Sequence, residues 1–89
     1  MNDIKELKDE ELKKVSGGFL ITEFSIDAGD CFEDENCIYK ALNDLPKTHD
    51  HLICIDFYCY NKSLNKYFAA NRNAYSIVNI ATYIGKNII

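Results

Sequence analysis

The chain has 89 residues, with 14 acidic and 10 basic side chains and a formal net charge of −4. This length supports one small domain with a limited hydrophobic core. The acidic balance argues against binding to nucleic acid, which requires a basic surface, and against simple electrostatic attraction to anionic membranes. The sequence does not begin with the uninterrupted apolar core of a secretory signal peptide, and no stretch has the length and apolar character of a membrane-spanning helix.

The first 18 residues have the pattern of an amphipathic helix. The few apolar side chains would share one side of the helix; these are Ile4, Leu7, Leu12 and Val15, and the positions between them are charged. The pattern ends at Gly17 and Gly18, where two adjacent glycines favour a non-helical backbone. A short segment with so few apolar groups does not hold a helix by itself. We therefore expect it to be disordered when free and helical when bound to a partner.

This segment resembles the double-glycine leader of bacteriocin and other peptide precursors, over 18 of the 89 residues. The matching residues are Leu7, Glu11, Leu12, Val15, Gly17 and Gly18. The resemblance implies a substrate and not an enzyme, with no cofactor. Leaders of this kind are recognised by the cysteine-protease domain of a peptidase-containing ABC transporter. That domain cuts after the second glycine while the transporter exports the rest, which places the cut here between Gly18 and Phe19.

The resemblance gives each leader residue an expected role. Leu7, Leu12 and Val15 would anchor the helix in a groove of the peptidase, with Ile4 and Glu11 assisting. A protease cleft too narrow for a Cβ atom would accept the glycine pair and reject larger residues. As an alternative, the pair is simply a helix C-cap followed by a hinge, and both interpretations can hold together.

The glycine pair divides the chain into a leader, residues 1–18, and a cargo, residues 19–89. The cargo sequence predicts a small α+β fold. Alternation predicts strands over residues 20–26 and 51–60, the second being the stronger. Helical spacing of Ile38, Ala41, Leu42 and Leu45 predicts a helix over residues 32–46 that ends at Pro46. Residues 64–70 suit a short helix or an amphipathic continuation, and residues 74–89 suit a helix slightly better than a strand.

All four cysteines lie in the cargo: Cys31, Cys37, Cys54 and Cys59. An even number in a small exported chain predicts two disulfides, and three connectivities remain open. We favour bridges from the first pair to the second pair, partly because longer closed loops stabilise more. The alternative is four reduced, buried thiols in a cytosolic protein. The sequence also leaves open whether the cargo is stapled by disulfides or only partly folded before export.

Other chemistry has weaker support in the sequence. The spacing of the histidines and of the later cysteines matches no common zinc motif, so we predict solvated loop histidines and no metal site; the histidines are His49 and His51. An acidic cluster lacks the ordered ligand spacing of a calcium loop and is better explained as a solvated surface; it comprises Asp30, Glu33, Asp34 and Glu35. No catalytic residue is predicted.

The resulting hypothesis is a bacteriocin-like precursor, made in the bacterial cytoplasm and secreted after its leader is removed. Its partner would be the peptidase-containing transporter, with no nucleic-acid partner, and with membrane contact only through the transporter or an unknown target. The bacteriocin subclass, thioether modification and the target of the cargo stay open. The alternative is a small intracellular α+β binding module whose N-terminal helix packs on its own core.

Overall fold

A computed structural model describes residues 21–89, which form a mostly β-sheet fold with one short helix. The strands are β1 (Ile21–Glu23), β2 (Asp30–Glu33), β3 (Cys37–Ala41), β4 (Thr48–Asp50), β5 (Cys54–Asn61), β6 (Lys66–Asn73) and β7 (Thr82–Lys86). Helix α1 (Ala74–Ile80) connects β6 to β7. The small α+β fold expected for residues 19–89 is therefore present over the residues that the structure describes. No helix within the described range has the length and apolar character needed to cross a bilayer.

Five strands form one antiparallel sheet in the order β6-β5-β3-β2-β7, and β1 pairs with β4 in a separate ribbon. The predicted central strand is confirmed as β5. Its side chains alternate between a buried face, with Ile55, Phe57 and Cys59, and an exposed face that includes Cys54 and Tyr58. This two-residue period is the expected signature of a sheet that is covered on one side.

The core lies on the face of the sheet that carries Phe57. Helix α1 packs there through Ala74 and Ile77, which have no exposed surface. The helix starts where Asn73 accepts a hydrogen bond from the Ser76 N–H, an N-cap that replaces a missing intrahelical partner. The core is completed by other apolar side chains, which include Ile26, Phe32, Tyr39, Ala41 and Leu45.

The predicted helix over residues 32–46 is wrong, because most of this stretch is a β-hairpin made by β2 and β3. Side chains of β3 alternate between buried and half-buried, so Ala41 faces the core and Ile38 does not. The turn is built by Asp34, whose carboxylate accepts from the N–H groups of Asn36 and Cys37. Asp and Asn favour such turns because their short side chains bond the nearby backbone.

Two further predictions are also revised. Residues 66–73 form strand β6 and no helix, after a turn in which Asn65 adopts a positive φ of 55°. Asn tolerates this left-handed conformation better than most residues. The last stretch, for which the sequence slightly favoured a helix over a strand, contains both, since residues 74–80 are helical and residues 82–86 form β7.

The residues after β7 fold back on the side of the sheet opposite the core. The Asn87 N–H donates to the Gly29 carbonyl at 2.7 Å, and the Ile88 N–H approaches the Cys31 sulfur at 3.3 Å. Cys31 is thereby fully buried although it does not face the main core. The tail therefore covers the start of β2 on this side of the sheet.

Candidate processing site and cysteines

The predicted leader and cleavage residues lie outside the described range, which begins at Ile21. They comprise the recognition residues Ile4, Leu7, Glu11, Leu12 and Val15 and the cleavage residues Gly17, Gly18 and Phe19. Their predicted roles therefore stay predictions. The structure does describe the segment that directly follows the predicted cut, because β1 begins three residues after Gly18 in the sequence.

Strand β1 is held by β4 in a short antiparallel ribbon, and Thr22 lies opposite His49 in this pairing. The Thr22 hydroxyl is hydrogen-bonded to Nε2 of His49, while Nδ1 of His49 lies 2.9 Å from the Pro46 carbonyl. A carbonyl can only accept, so Nδ1 donates to it, and in the neutral ring Nε2 accepts from the threonine. Through His49, these hydrogen bonds connect Thr22 of β1 to β4 and to the loop that precedes β4.

His49 is buried, so the prediction that it is a solvated loop residue is wrong. Its relative exposure is 7%, and the Phe24 ring meets it edge-on with centroids 4.6 Å apart. His51 is half-buried and contacts Tyr75. The sequence carried no local signal for the contact between Thr22 and His49, because the two residues are 27 positions apart.

The ribbon continues into the core through Ile26 and Leu45. Their backbones exchange two hydrogen bonds, of 3.0 and 2.7 Å, and both side chains are buried in the core cluster. The chain is therefore fixed to the core eight residues after Gly18. Before this anchor, the described chain is held by the pairing of β1 with β4.

The fold places the four cysteines on two faces of the sheet. Cys37 and Cys59 are buried on the core face, on the neighbouring strands β3 and β5. Cys31 and Cys54 belong to the opposite face, where Cys31 is buried under the tail and Cys54 is exposed. All four are free thiols in this structure.

Cys37 and Cys59 are the pair that the fold brings together. Tyr39 pairs directly with Cys59, so Cys37 is its diagonal neighbour, at a typical Cα separation of about 7–8 Å. This is slightly beyond the usual span of a disulfide, so a bridge requires a small backbone shift. Burial and the neighbouring Cys37 raise the pKa of Cys59 to about 11, which keeps this thiol protonated at neutral pH.

The second predicted bridge has no matching pair in this fold. Cys31 pairs with Lys40, which pairs with Tyr58, four positions along β5 from Cys54. Two strand spacings and four residue rises separate the two Cα atoms by about 16 Å. A disulfide requires less than about 7 Å, so Cys31 and Cys54 do not reach each other without a rearrangement of the chain.

The acidic residues act in turns and ion pairs. Burial alone would raise the pKa of Asp30, but the Asp27 N–H and the Lys86 ammonium, 3.0 Å away, outweigh it and hold the pKa below its ordinary value. The pKa of Asp34 is likewise lowered, because hydrogen bonds to its carboxylate outweigh burial. Among residues 21–89, no group of three or more His, Cys, Asp or Glu side chains is arranged to hold a metal ion.

No protein-family model, curated protein or solved structure matches the chain. The features that bear on function are the amphipathic double-glycine pattern of residues 1–18 and the geometry of the segment that follows it.

Proposed function

We propose that the chain is the precursor of a secreted bacteriocin-like peptide. A peptidase-containing ABC transporter binds its leader, cuts after Gly18 and exports residues 19–89. The observation that carries the proposal is the leader pattern, an amphipathic segment of 18 residues that ends in two glycines. It is supported by a cargo whose described residues pack on one another in a core of their own.

Recognition and cleavage use different parts of the leader. The apolar stripe binds as a helix, and each buried aliphatic side chain contributes about 1.5–3 kcal/mol gross. Ordering the segment offsets about 2–5 kcal/mol or more of this, which leaves a modest affinity suited to a substrate that must dissociate. Gly17 and Gly18 then fit a cleft that has no room for side chains.

The folded cargo lies very close to the predicted cut. Phe19 and Leu20 separate Gly18 from β1 in the sequence, and two residues span about 7 Å at full extension. A protease cleft that encloses several residues on both sides of the scissile bond therefore reaches the β1–β4 ribbon. Cleavage of the folded precursor requires β1 to separate from β4, so the ribbon sets how readily the peptidase gains access.

Cleavage by a purified peptidase domain of this transporter class tests the proposal. The full chain is incubated with the domain, and the products are identified by mass spectrometry. We expect one cut, between Gly18 and Phe19. Replacement of an anchor, Leu12→Ala, slows cleavage about tenfold or more, because a buried leucine is lost from the contact.

The matched control is the adjacent substitution Lys13→Ala, which lies off the apolar stripe and leaves the cleavage rate within about twofold. An uncut wild-type chain whose first 18 residues also resist general proteases would contradict the proposal. It would favour the binding-module alternative, in which Leu12→Ala lowers the free energy of unfolding by about 2–5 kcal/mol.

A further inference from the structure

Strand β6 is a long edge of the five-stranded sheet. It pairs with β5 on one side, and no strand within residues 21–89 pairs with its other side. It spans Lys66–Asn73 and is mostly exposed. Such an edge presents a row of unpaired N–H and C=O groups that can bind another strand.

The centre of β6 lacks the devices that usually protect an edge strand. It contains no proline, no bulge interrupts its pairing with β5, and its charged residues, Lys66 and Arg72, lie near its ends. Between them Tyr67 and Phe68 are among the exposed aromatic side chains of the fold. The opposite edge, β7, is shorter, has an irregular pairing with β2 and contains Gly85 at a φ of 127°.

The sequence of β6 is compatible with antiparallel pairing to itself. Cross-strand partners must point to the same face, so the two longest self-pairings are centred on Ala69 or on Ala70. Centring on Ala69 places Lys66 opposite Arg72 of the second copy, an unfavourable contact between like charges. Centring on Ala70 places Phe68 opposite that arginine, where the guanidinium can cover the aromatic ring.

We propose that two copies of the chain associate through β6 in antiparallel orientation, about a twofold axis at Ala70. The two five-stranded sheets then become one continuous sheet. Tyr67 to Asn73 of each copy provide the backbone hydrogen bonds, and each Phe68 packs beside an Arg72 of the other copy. The twofold axis makes the contact self-complementary, which limits the assembly to a closed dimer. This inference does not depend on the function of the leader.

Sedimentation equilibrium of the full chain over about a hundredfold range of concentration tests the dimer. Phe68→Lys places a lysine opposite Arg72 and raises the dimer dissociation constant about tenfold or more. Phe68→Glu pairs an acid with the same arginine and retains the dimer. Adding Arg72→Glu to Phe68→Lys restores association. Phe68 lies outside the buried core cluster, so these variants keep the fold, which circular dichroism verifies.

The matched control is Leu64→Lys, which introduces the same charge at an exposed residue of the turn before β6. It leaves the dissociation constant unchanged. Hydrogen exchange at rising concentration should protect the amides of β6 and not those of β7. A chain that is monomeric at every concentration would overturn the proposal. So would a dimer that Phe68→Lys and Phe68→Glu affect equally, because another surface or the leader would then form the contact.

Discussion

Thr22 and His49 are hydrogen-bonded across the β1–β4 ribbon, and Thr22 lies four residues after the predicted leader ends at Gly18. His49 is in turn bonded to the Pro46 carbonyl. The segment next to the predicted cut is thus attached to the folded cargo by side chains as well as by backbone pairing. On the proposed function, this attachment opposes cleavage until β1 is released.

Thr22→Val is expected to speed cleavage of the folded precursor. Valine keeps the shape and strand preference of threonine but loses the hydroxyl, and a hydrogen bond contributes about 0.5–1.5 kcal/mol net. If β1 must separate before cleavage, kcat/KM for the peptidase rises about two- to tenfold. The quantity is measured by following the Phe19–Ile89 product over time by mass spectrometry.

The same substitution at an exposed strand position, Thr82→Val in β7, provides the control and leaves the rate unchanged. A second control uses a synthetic peptide of residues 1–26, which lacks β4. Here Thr22→Val has no effect, because the bond to His49 is absent. An equal acceleration in the short peptide would show that the substitution acts in the peptidase cleft and not through the ribbon.

Neighbouring residues of β5 are expected to differ strongly in their contributions to stability. Phe57 is fully buried at the centre of the core, so Phe57→Ala lowers the free energy of unfolding by about 3–5 kcal/mol. Tyr58 faces the other side and stacks on Tyr67, a cross-strand contact, so Tyr58→Ala costs about 1 kcal/mol or less. Urea unfolding measures both. Equal losses would contradict the assigned faces of the strand.

Stability is expected to fall in acid partly through Asp34. Its carboxylate accepts from two backbone N–H groups and from the Tyr39 hydroxyl, and its folded pKa lies below the ordinary value of 3.8. A carboxyl group whose pKa is lowered by folding stabilises the folded state at pH values above its ordinary pKa. This contribution is lost as the pH falls through the lowered pKa of the folded state. The unfolding free energy therefore changes little through Asp34 near neutral pH and declines below about pH 4.

Asp34→Ala removes these bonds and lowers stability at pH 7 by about 2 kcal/mol. It also makes the decline in acid shallower. The neighbouring substitution Glu35→Ala, at an exposed position of the same turn, changes neither quantity appreciably. Urea denaturation at a series of pH values measures both effects, and an unchanged acid profile in Asp34→Ala would contradict the assigned role.

If the secreted cargo contains a disulfide, we expect it to join Cys37 to Cys59. Peptide mapping of the secreted form without reduction identifies the bond. In the reduced chain, iodoacetamide modifies the exposed Cys54 first, because the other three thiols are buried. A bond between Cys31 and Cys54 would contradict the sheet register, since it joins positions about 16 Å apart.

The sequence was sufficient to predict β5 because its side chains fit a two-residue alternation along the whole strand and fit no other spacing. The hairpin of β2 and β3 was missed because its residues satisfy two templates. Ile38, Ala41, Leu42 and Leu45 have helical spacing, while Cys37, Tyr39 and Ala41 alternate as in a strand. Pairing with β5, more than ten residues away, favours the strand, and such tertiary contacts override local preference.

The contact between Thr22 and His49 beside the predicted cut could not be predicted from the sequence. Thr22 and His49 become neighbours through the register of two three-residue strands, which are separated in the sequence by the β2–β3 hairpin and its flanking loops. Strands this short carry too little pattern to predict a partner. The leader motif, by contrast, is local, so its residues could be assigned expected roles from the sequence alone.

Expression of the chain with and without a peptidase-containing transporter of this class, followed by intact-mass analysis of the medium, tests the central claim most directly. We predict a secreted peptide that begins at Phe19 and ends at Ile89. Its release requires the transporter and is abolished by Gly18→Val, which places a side chain in the proposed cleft. A chain that stays in the cells at its full length of 89 residues, whether or not the transporter is present, would contradict the account.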